Sequence, residues 1–216
     1  MLNFTKKSLS LTLIALSVFA AVSANADPYS GLRVGVNSRF GFGGDAVNQL
    51  QGYTEQEPDA EATTGVGLRL EYPITNFFHL AFGPSFHWSK DEVMDNRKVD
   101  RTLHIDISPA LKLRTSFHNE RGELYIDVPV GLTVTKVSDE EEDLRFGQMK
   151  ADTGLGWNAA VMVGTNYRVH NNVSLQIELG WQGRGGSLDV SQGNTDLEYE
   201  YSTHQFALNV GAFYTF

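Results

Sequence analysis

Apolar side chains recur at every second position in eight separate segments of the chain. No Asp, Glu, Lys or Arg occupies the apolar frame of any segment, although 20% of all residues are charged. A period of two is typical of β-strands, in which successive side chains point to opposite faces of a sheet. The segments are Leu32–Phe40, Val66–Tyr72, Phe78–Trp88, Leu103–Leu113, Leu124–Val134, Leu155–Tyr167, Val173–Trp181 and His204–Phe216. The sequence therefore predicts an all-β protein whose strands each have one apolar face.

The opposite face of these strands decides between two kinds of barrel. A soluble barrel encloses its apolar face, whereas a membrane barrel turns that face toward lipid. The alternate positions are rich in Gly, Asn, Gln and Ser, and short turns alternate with long loops, as in outer-membrane barrels. The short turns are Pro73–Asn76, Ser116–Gly122 and His170–Asn172, and the long loops are Gly41–Ala62, Ser89–Asp100, Val137–Asp152 and Arg184–Glu200. We therefore expect an eight-stranded antiparallel up-and-down transmembrane β-barrel.

Aromatic residues of the apolar frame sort into two levels. Trp88, Trp157 and Trp181 each lie next to a long loop. Tyr72, Tyr167 and Tyr214 lie at the opposite strand ends, near short turns or the end of the last segment. Because amphipathic rings favour the headgroup level of a membrane, we expect two aromatic girdles.

The first residues resemble a secretory signal. Lys6 and Lys7 precede an apolar stretch, and Ala24 and Ala26 form a small-x-small cleavage site. We expect residues 1–26 to be removed and residues 27–216 to form the barrel domain; an uncleaved anchor is the alternative. The net charge of −9 argues against nucleic acid as a partner, and the chain has no Cys for disulfides or thiolate metal sites.

With this signal, eight alternating segments and a final Tyr214-Thr215-Phe216, the chain resembles the small outer-membrane β-barrel superfamily. That superfamily includes OmpX, the transmembrane domain of OmpA, and porin-family and opacity-type proteins. The resemblance implies a Gram-negative outer-membrane location, with outer-membrane lipid and lipopolysaccharide as surroundings. It also implies that Tyr214 and Phe216 form the signal for the barrel-assembly machinery.

Fold alone does not fix function. We expect a structural or surface-interaction role in the envelope, with an unidentified external ligand. A narrow porin or hydrophobic-solute channel is the first alternative, and a lipid-modifying hydrolase is the second.

Charged residues on the inward parity balance one another. Four cations face four carboxylates, and we expect them to form a salt-bridged plug, because eight strands leave little free bore and unpaired buried charges are costly. A gated pore lined by the same groups is the alternative. The residues are Arg33, Arg39, Arg69, Lys112, Glu71, Asp106, Asp127 and Glu178.

Two groups of residues have side chains suited to catalysis. His104, Asp106 and Ser108 share one strand face, but alternate residues lie nearly 7 Å apart, too far for a triad. Ser202 and His204 face outward near the external rim, where Glu200 or Asp189 would have to supply the acid. We expect neither group to be catalytic and no cofactor to be bound.

Acidic stretches in two loops could hold a divalent cation. Asp139–Asp143 is a run of five carboxylates, and Glu55, Glu57, Asp59 and Glu61 lie together in the first loop. Their spacing matches no EF-hand, so we interpret both stretches as solvated loops and expect no metal site.

Three prolines fall inside the strand segments. Pro84, Pro109 and Pro129 each lack the N–H that a central strand donates. Bulges could accommodate them, and each bulge would exchange the inward and outward faces beyond it.

Overall fold

The computed structural model describes residues 31–52, 55, 57–75, 77–94, 97–117, 121–137, 149–151, 153–192 and 195–216. The predicted signal with Ala24 and Ala26, and the acidic run 139–143, lie outside the described residues. The described residues form these strands: β1 Arg33–Leu50, β2 Thr63–Pro73, β3 Phe78–Phe82, β4 Pro84–Met94, β5 Arg97–Ile107, β6 Ala110–Phe117, β7 Gly122–Val137, β8 Met149–Ala151, β9 Gly154–His170, β10 Val173–Gln192 and β11 Thr195–Thr215.

The strands close into a ring. We call each of the positions around the ring a wall, whether it holds one strand or two strands end to end. β1 pairs antiparallel with β2 on one side and with β11 on the other, which joins the first wall of the sheet to the last. β3 and β4 follow one another along one wall, as do β5 and β6 along the next, and β8 only extends the edge of β10. Eight antiparallel walls therefore enclose the interior, and the predicted fold class is confirmed.

Exposure alternates along the walls in the sense expected for a membrane barrel. On β2, Val66, Leu68 and Leu70 are each 45–49% exposed, whereas Arg69 is 7% and Glu71 0% exposed. The large apolar side chains thus lie outside and the polar ones inside. Across the described residues, no helix is long and apolar enough to cross a membrane.

The bulges considered at the three prolines do not occur in the described strands. Strand assignment stops at Gly83 and at Ser108–Pro109, but pairing resumes in the same register on either side. β7 likewise keeps one register with β9 on both sides of Pro129. A proline removes one ladder donor without adding a residue, so the inward and outward faces are unchanged beyond each one.

A bulge occurs instead in β1, at Gly43 and Gly44. Their φ angles are +59° and +102°, and the register with β11 shifts between Phe42 and Asp45. Beyond the bulge, even-numbered positions such as Ala46 face inward. Positive φ favours glycine because a Cβ atom would be strained there.

Two of the expected long loops are largely strand, and the first loop is partly so. β1 continues to Leu50, β4 and β5 continue to Met94 and Arg97, and β10 pairs with β11 as far as Gln192 and Thr195. These extensions contain many glycine and polar residues, and their period-two pattern fades. Backbone pairing continues there because ladder hydrogen bonds do not require an apolar face.

The bulge predicts unequal costs for two adjacent substitutions. A Cβ atom on Gly44 would lie 1.9 Å from the backbone oxygen of His204, whereas one on Gly43 would meet nothing within 4 Å. We expect Gly43→Ala to lower the free energy of unfolding by about 1–2 kcal/mol through backbone strain alone. Gly44→Ala should cost clearly more, measured by urea unfolding in lipid vesicles. Equal losses would contradict this account of the bulge.

Candidate functional site

The candidate site is the polar interior of the ring. All eight charged residues predicted to face inward do so, and all except Arg39 are buried. Their positions follow from the alternation of each strand, since the apolar neighbours on either side face outward. The charged groups form three sets at different heights.

The first set lies toward the short-turn end and centres on Glu71. This carboxylate lies 3.0 Å from Arg33 Nη1 and 3.1 Å from Lys112 Nζ. Arg69 connects it to the next carboxylate, with Nε 3.0 Å from Glu71 and Nη1 2.7 Å from Asp127. Three cations thus surround one fully buried acid.

Glu123 is the second centre of the same set. Its carboxylate lies 2.7 Å from Arg33, 3.2 Å from Lys112 and 2.9 Å from Arg114, and it accepts a hydrogen bond from Asn166. Buried charges are tolerated only when paired and hydrogen-bonded. The two acids and their shared cations therefore act as one unit.

Aromatic rings fill the space beside these cations. Lys112 Nζ lies 3.6 Å from the centroid of the Tyr125 ring, and Arg33 Cζ lies 5.0 Å from that of Phe213. Cations are attracted to such ring faces. Gly35 makes room, because a Cβ there would lie 2.5 Å from the Phe213 ring.

The second set lies nearer the long-loop end. Arg184 approaches Asp106 with Nε at 3.0 Å and Nη2 at 2.9 Å. The same carboxylate lies 3.2 Å from His87 Nε2 and accepts a 2.6 Å hydrogen bond from Thr133. Asp106 is thus held by partners from three other walls.

The third set joins a cation and a carboxylate through an amide. Arg39 Nε donates to Asn209 Oδ1 at 2.8 Å, and Asn209 Nδ2 donates to Glu178 Oε2 at 2.6 Å. Tyr125 and Gln176 also donate to Glu178, at 2.9 and 2.7 Å. Among the described residues, Glu178 is therefore satisfied by neutral donors and has no cation in direct contact.

The chain is a ring of strands with an apolar exterior and a charged interior. Its sequence also matches a family of proteins with this architecture. The model of the outer membrane protein beta-barrel domain matches residues 9–216. The chain belongs to this family.

A solved structure shows the same fold. Outer membrane protein OprG from Pseudomonas aeruginosa is similar at a TM-score of 0.62 and 14% identity, covering 87% of this chain and 97% of OprG. Neisserial surface protein A is similar at a TM-score of 0.48 and 15% identity, covering 87% of this chain and 98% of that protein. No curated protein matches the chain in sequence. The family places this outer-membrane barrel in a Gram-negative outer membrane.

Sequence reasoning missed three members of the charged sets in this outer-membrane barrel. Glu123 and Arg114 lie on the inward parity one position outside the segments, and Arg184 lies in a stretch interpreted as a loop. Extending each alternating segment by a few residues would have found all three.

The residue types of a triad on β5 do not come together. His104 Nδ1 lies 2.9 Å from Thr135 Oγ1 and its Nε2 3.3 Å from Ser89 Oγ. Ser108 Oγ bonds instead to Asn158 at 2.5 Å. With Asp106 bound to Arg184, each side chain of the three serves a different contact.

Ser202 and His204 form a pair outside the barrel. Ser202 Oγ lies 3.4 Å from His204 Nε2, and the imidazole stacks on Trp181 with ring centroids 6.4 Å apart. Of the residues that the structure describes, none places a carboxylate oxygen within 4 Å of this imidazole. Glu200 and Asp189, considered as the acid, are both exposed.

The six girdle aromatics lie on the outer face in two groups, one toward each end of the ring. Trp88, Trp157 and Trp181 are 39–45% exposed toward the long-loop end. At the other end Tyr72 and Tyr167 are exposed, and Tyr214 packs edge-on to Phe216 at 5.0 Å. Within the described part of the chain, no group of acidic or His side chains could hold a metal ion.

Removing one charge from the first set should be costly. Glu123→Gln leaves three buried cations short of a carboxylate, and we expect it to lower the free energy of unfolding by about 3–5 kcal/mol. Glu200→Gln, at an exposed position of β11, is the matched control and should change it by less than about 0.5 kcal/mol. Urea unfolding in vesicles measures both, and equal effects would contradict the pairing argument.

Lipid contact predicts a depth dependence on the outer face. Val163 lies midway between Trp157 and Tyr167 on β9, and Val169 lies near the end of that strand. Both are more than half exposed. We expect Val163→Arg to cost about 2–4 kcal/mol and Val169→Arg about 0–1 kcal/mol. Similar costs in the same unfolding assay would show that this face does not meet hydrocarbon.

Proposed function

We propose that the protein is a sealed outer-membrane barrel that supports external β-structure, with a structural or surface-interaction role in the envelope. The observation that carries this proposal is the first charged set. Arg33, Lys112, Glu71 and Glu123 are each 0% exposed, so they fill the bore toward the short-turn end. An eight-stranded barrel has an interior just wide enough for its own side chains.

The opposite end is built differently. β10 continues from Trp181 to Gln192 and stays paired with β11 throughout. The backbone hydrogen bonds between β10 and β11 keep this part of the two strands ordered beyond the level of the tryptophans, where no lipid surrounds them. Above Arg184, a vestibule of about 630 Å³, counting its open space, is lined by residues such as His104, Tyr199 and Tyr201. This exposed end is where contacts with a surface partner would form.

The partners follow from the same geometry. The apolar outer face would contact acyl chains, and the external extensions would lie beside lipopolysaccharide. Tyr214 and Phe216 end the strand that closes the ring against β1. If the barrel-assembly machinery binds this strand, the pairing of β11 with β1 would be the last step of barrel closure.

A narrow channel is the second candidate, and one observation favours it. A cavity near the wall break at Gly83 and Ser108 touches inward Arg69 and also the outward side chains Leu68 and Phe82. A route for a small or apolar solute would pass there. Passage of an apolar solute into vesicles without ionic current would favour this candidate.

Lipid hydrolysis is supported less well. The Ser202–His204 pair supplies a nucleophile and a base, which are two of the three members of a catalytic triad. Backbone N–H groups, which form an oxyanion hole, are engaged in the β10–β11 ladder around this pair. We therefore propose a role without catalysis.

Single-channel recording tests the sealed barrel. We expect the folded protein in planar bilayers to show no ionic current steps, because the first charged set blocks the bore. Lys112→Ser combined with Glu123→Ser removes one charge of each sign and should produce steps. Arg121→Ser, at an exposed turn, is the control and should remain silent. Steady conductance by the unaltered protein would overturn the proposal.

A further inference from the structure

Two arginines border the cavity that lies near the wall break at Gly83 and Ser108. The cavity measures about 390 Å³, counting the space open around it, and its polar lining comprises Asn37, Arg39, Arg69, Ser85 and Ser108. No carboxylate lines it among the described residues. The lining therefore offers positive charge and neutral hydrogen-bonding groups to whatever occupies it.

Neither arginine is fully satisfied by its protein contacts. Arg39 has no carboxylate within 4 Å among the described residues, and its bond to Asn209 uses only Nε. Arg69 forms ion pairs with Glu71 through Nε and with Asp127 through Nη1, but its Nε and Nη2 have no hydrogen-bond partner in the described structure. Arg69 is 7% exposed, so these nitrogens are buried.

The charge count of the three sets points the same way. With His taken as neutral, their six cations face five carboxylates. The cations are Arg33, Arg39, Arg69, Lys112, Arg114 and Arg184, and the carboxylates are Glu71, Asp106, Glu123, Asp127 and Glu178. The second and third sets each contain one charge of either sign. The surplus therefore belongs to the first set, in which Arg69 is the cation that borders the cavity.

A surplus charge inside a low-dielectric wall is unfavourable unless a counterion accompanies it. We propose that this cavity binds one small inorganic anion, such as chloride, between Arg39 and Arg69. The anion accepts hydrogen bonds from the free nitrogens of both guanidinium groups and balances the surplus. Water could accept the same hydrogen bonds but would leave the charge uncompensated.

Urea unfolding in vesicles at constant ionic strength tests the site, with chloride exchanged for the much larger anion gluconate. A ligand that binds only the folded state stabilises it by mass action. Above its dissociation constant, each tenfold rise in chloride should lower the unfolding equilibrium constant about tenfold. Arg39→Gln should abolish this dependence, and Arg121→Gln, which changes an exposed arginine, should retain it.

A crystal grown in bromide gives a second readout on the unaltered protein, whether or not the variant folds. An anomalous peak between Arg39 and Arg69 is expected. Chloride dependence that persists in Arg39→Gln, no dependence in the unaltered protein, or no bromide peak in the cavity would each overturn the site. The measurement is independent of whether the barrel conducts.

Discussion

Pairing of buried charges is the interaction on which the rest of this structure depends. The interior of this ring is mainly polar, so its packing depends on polar side chains. Glu71 and Glu123 share Arg33 and Lys112 between them, and these four side chains come from four different walls. The same contacts fix the relative position of the walls and close the bore.

The outer face, in contrast to the interior, excludes charged side chains. Backbone groups cannot remain unpaired in lipid, which forces the ring to close, and a charge there would lose its hydration without gaining a partner. The interruptions at Gly83 and at Ser108–Pro109 do not break this closure, because pairing on either side keeps its register. A proline is tolerated in a membrane wall where only one donor is lost.

Much of this architecture could be predicted from alternation alone, because one face of each strand contacts lipid and the other contacts the polar interior. The strand count, the orientation and the inward position of all eight expected charges follow from it. Partner choice could not be predicted, since Glu123 and Arg184 join their sets through contacts across the bore. The Gly43–Gly44 bulge also escaped prediction, because two adjacent glycines suit a loop as well as a strand.

The three charged sets divide the bore by height, and this division links structure to function. The first set excludes space with fully buried side chains, whereas the second lies beneath an open vestibule bordered by Tyr201. A molecule entering from outside would therefore meet Arg184 and Asp106 before any obstruction. Since that pair is already neutral, entry would be governed by shape and hydrogen bonding more than by charge. The surplus positive charge lies instead in the first set, where Arg69 borders the cavity that we propose to hold an anion.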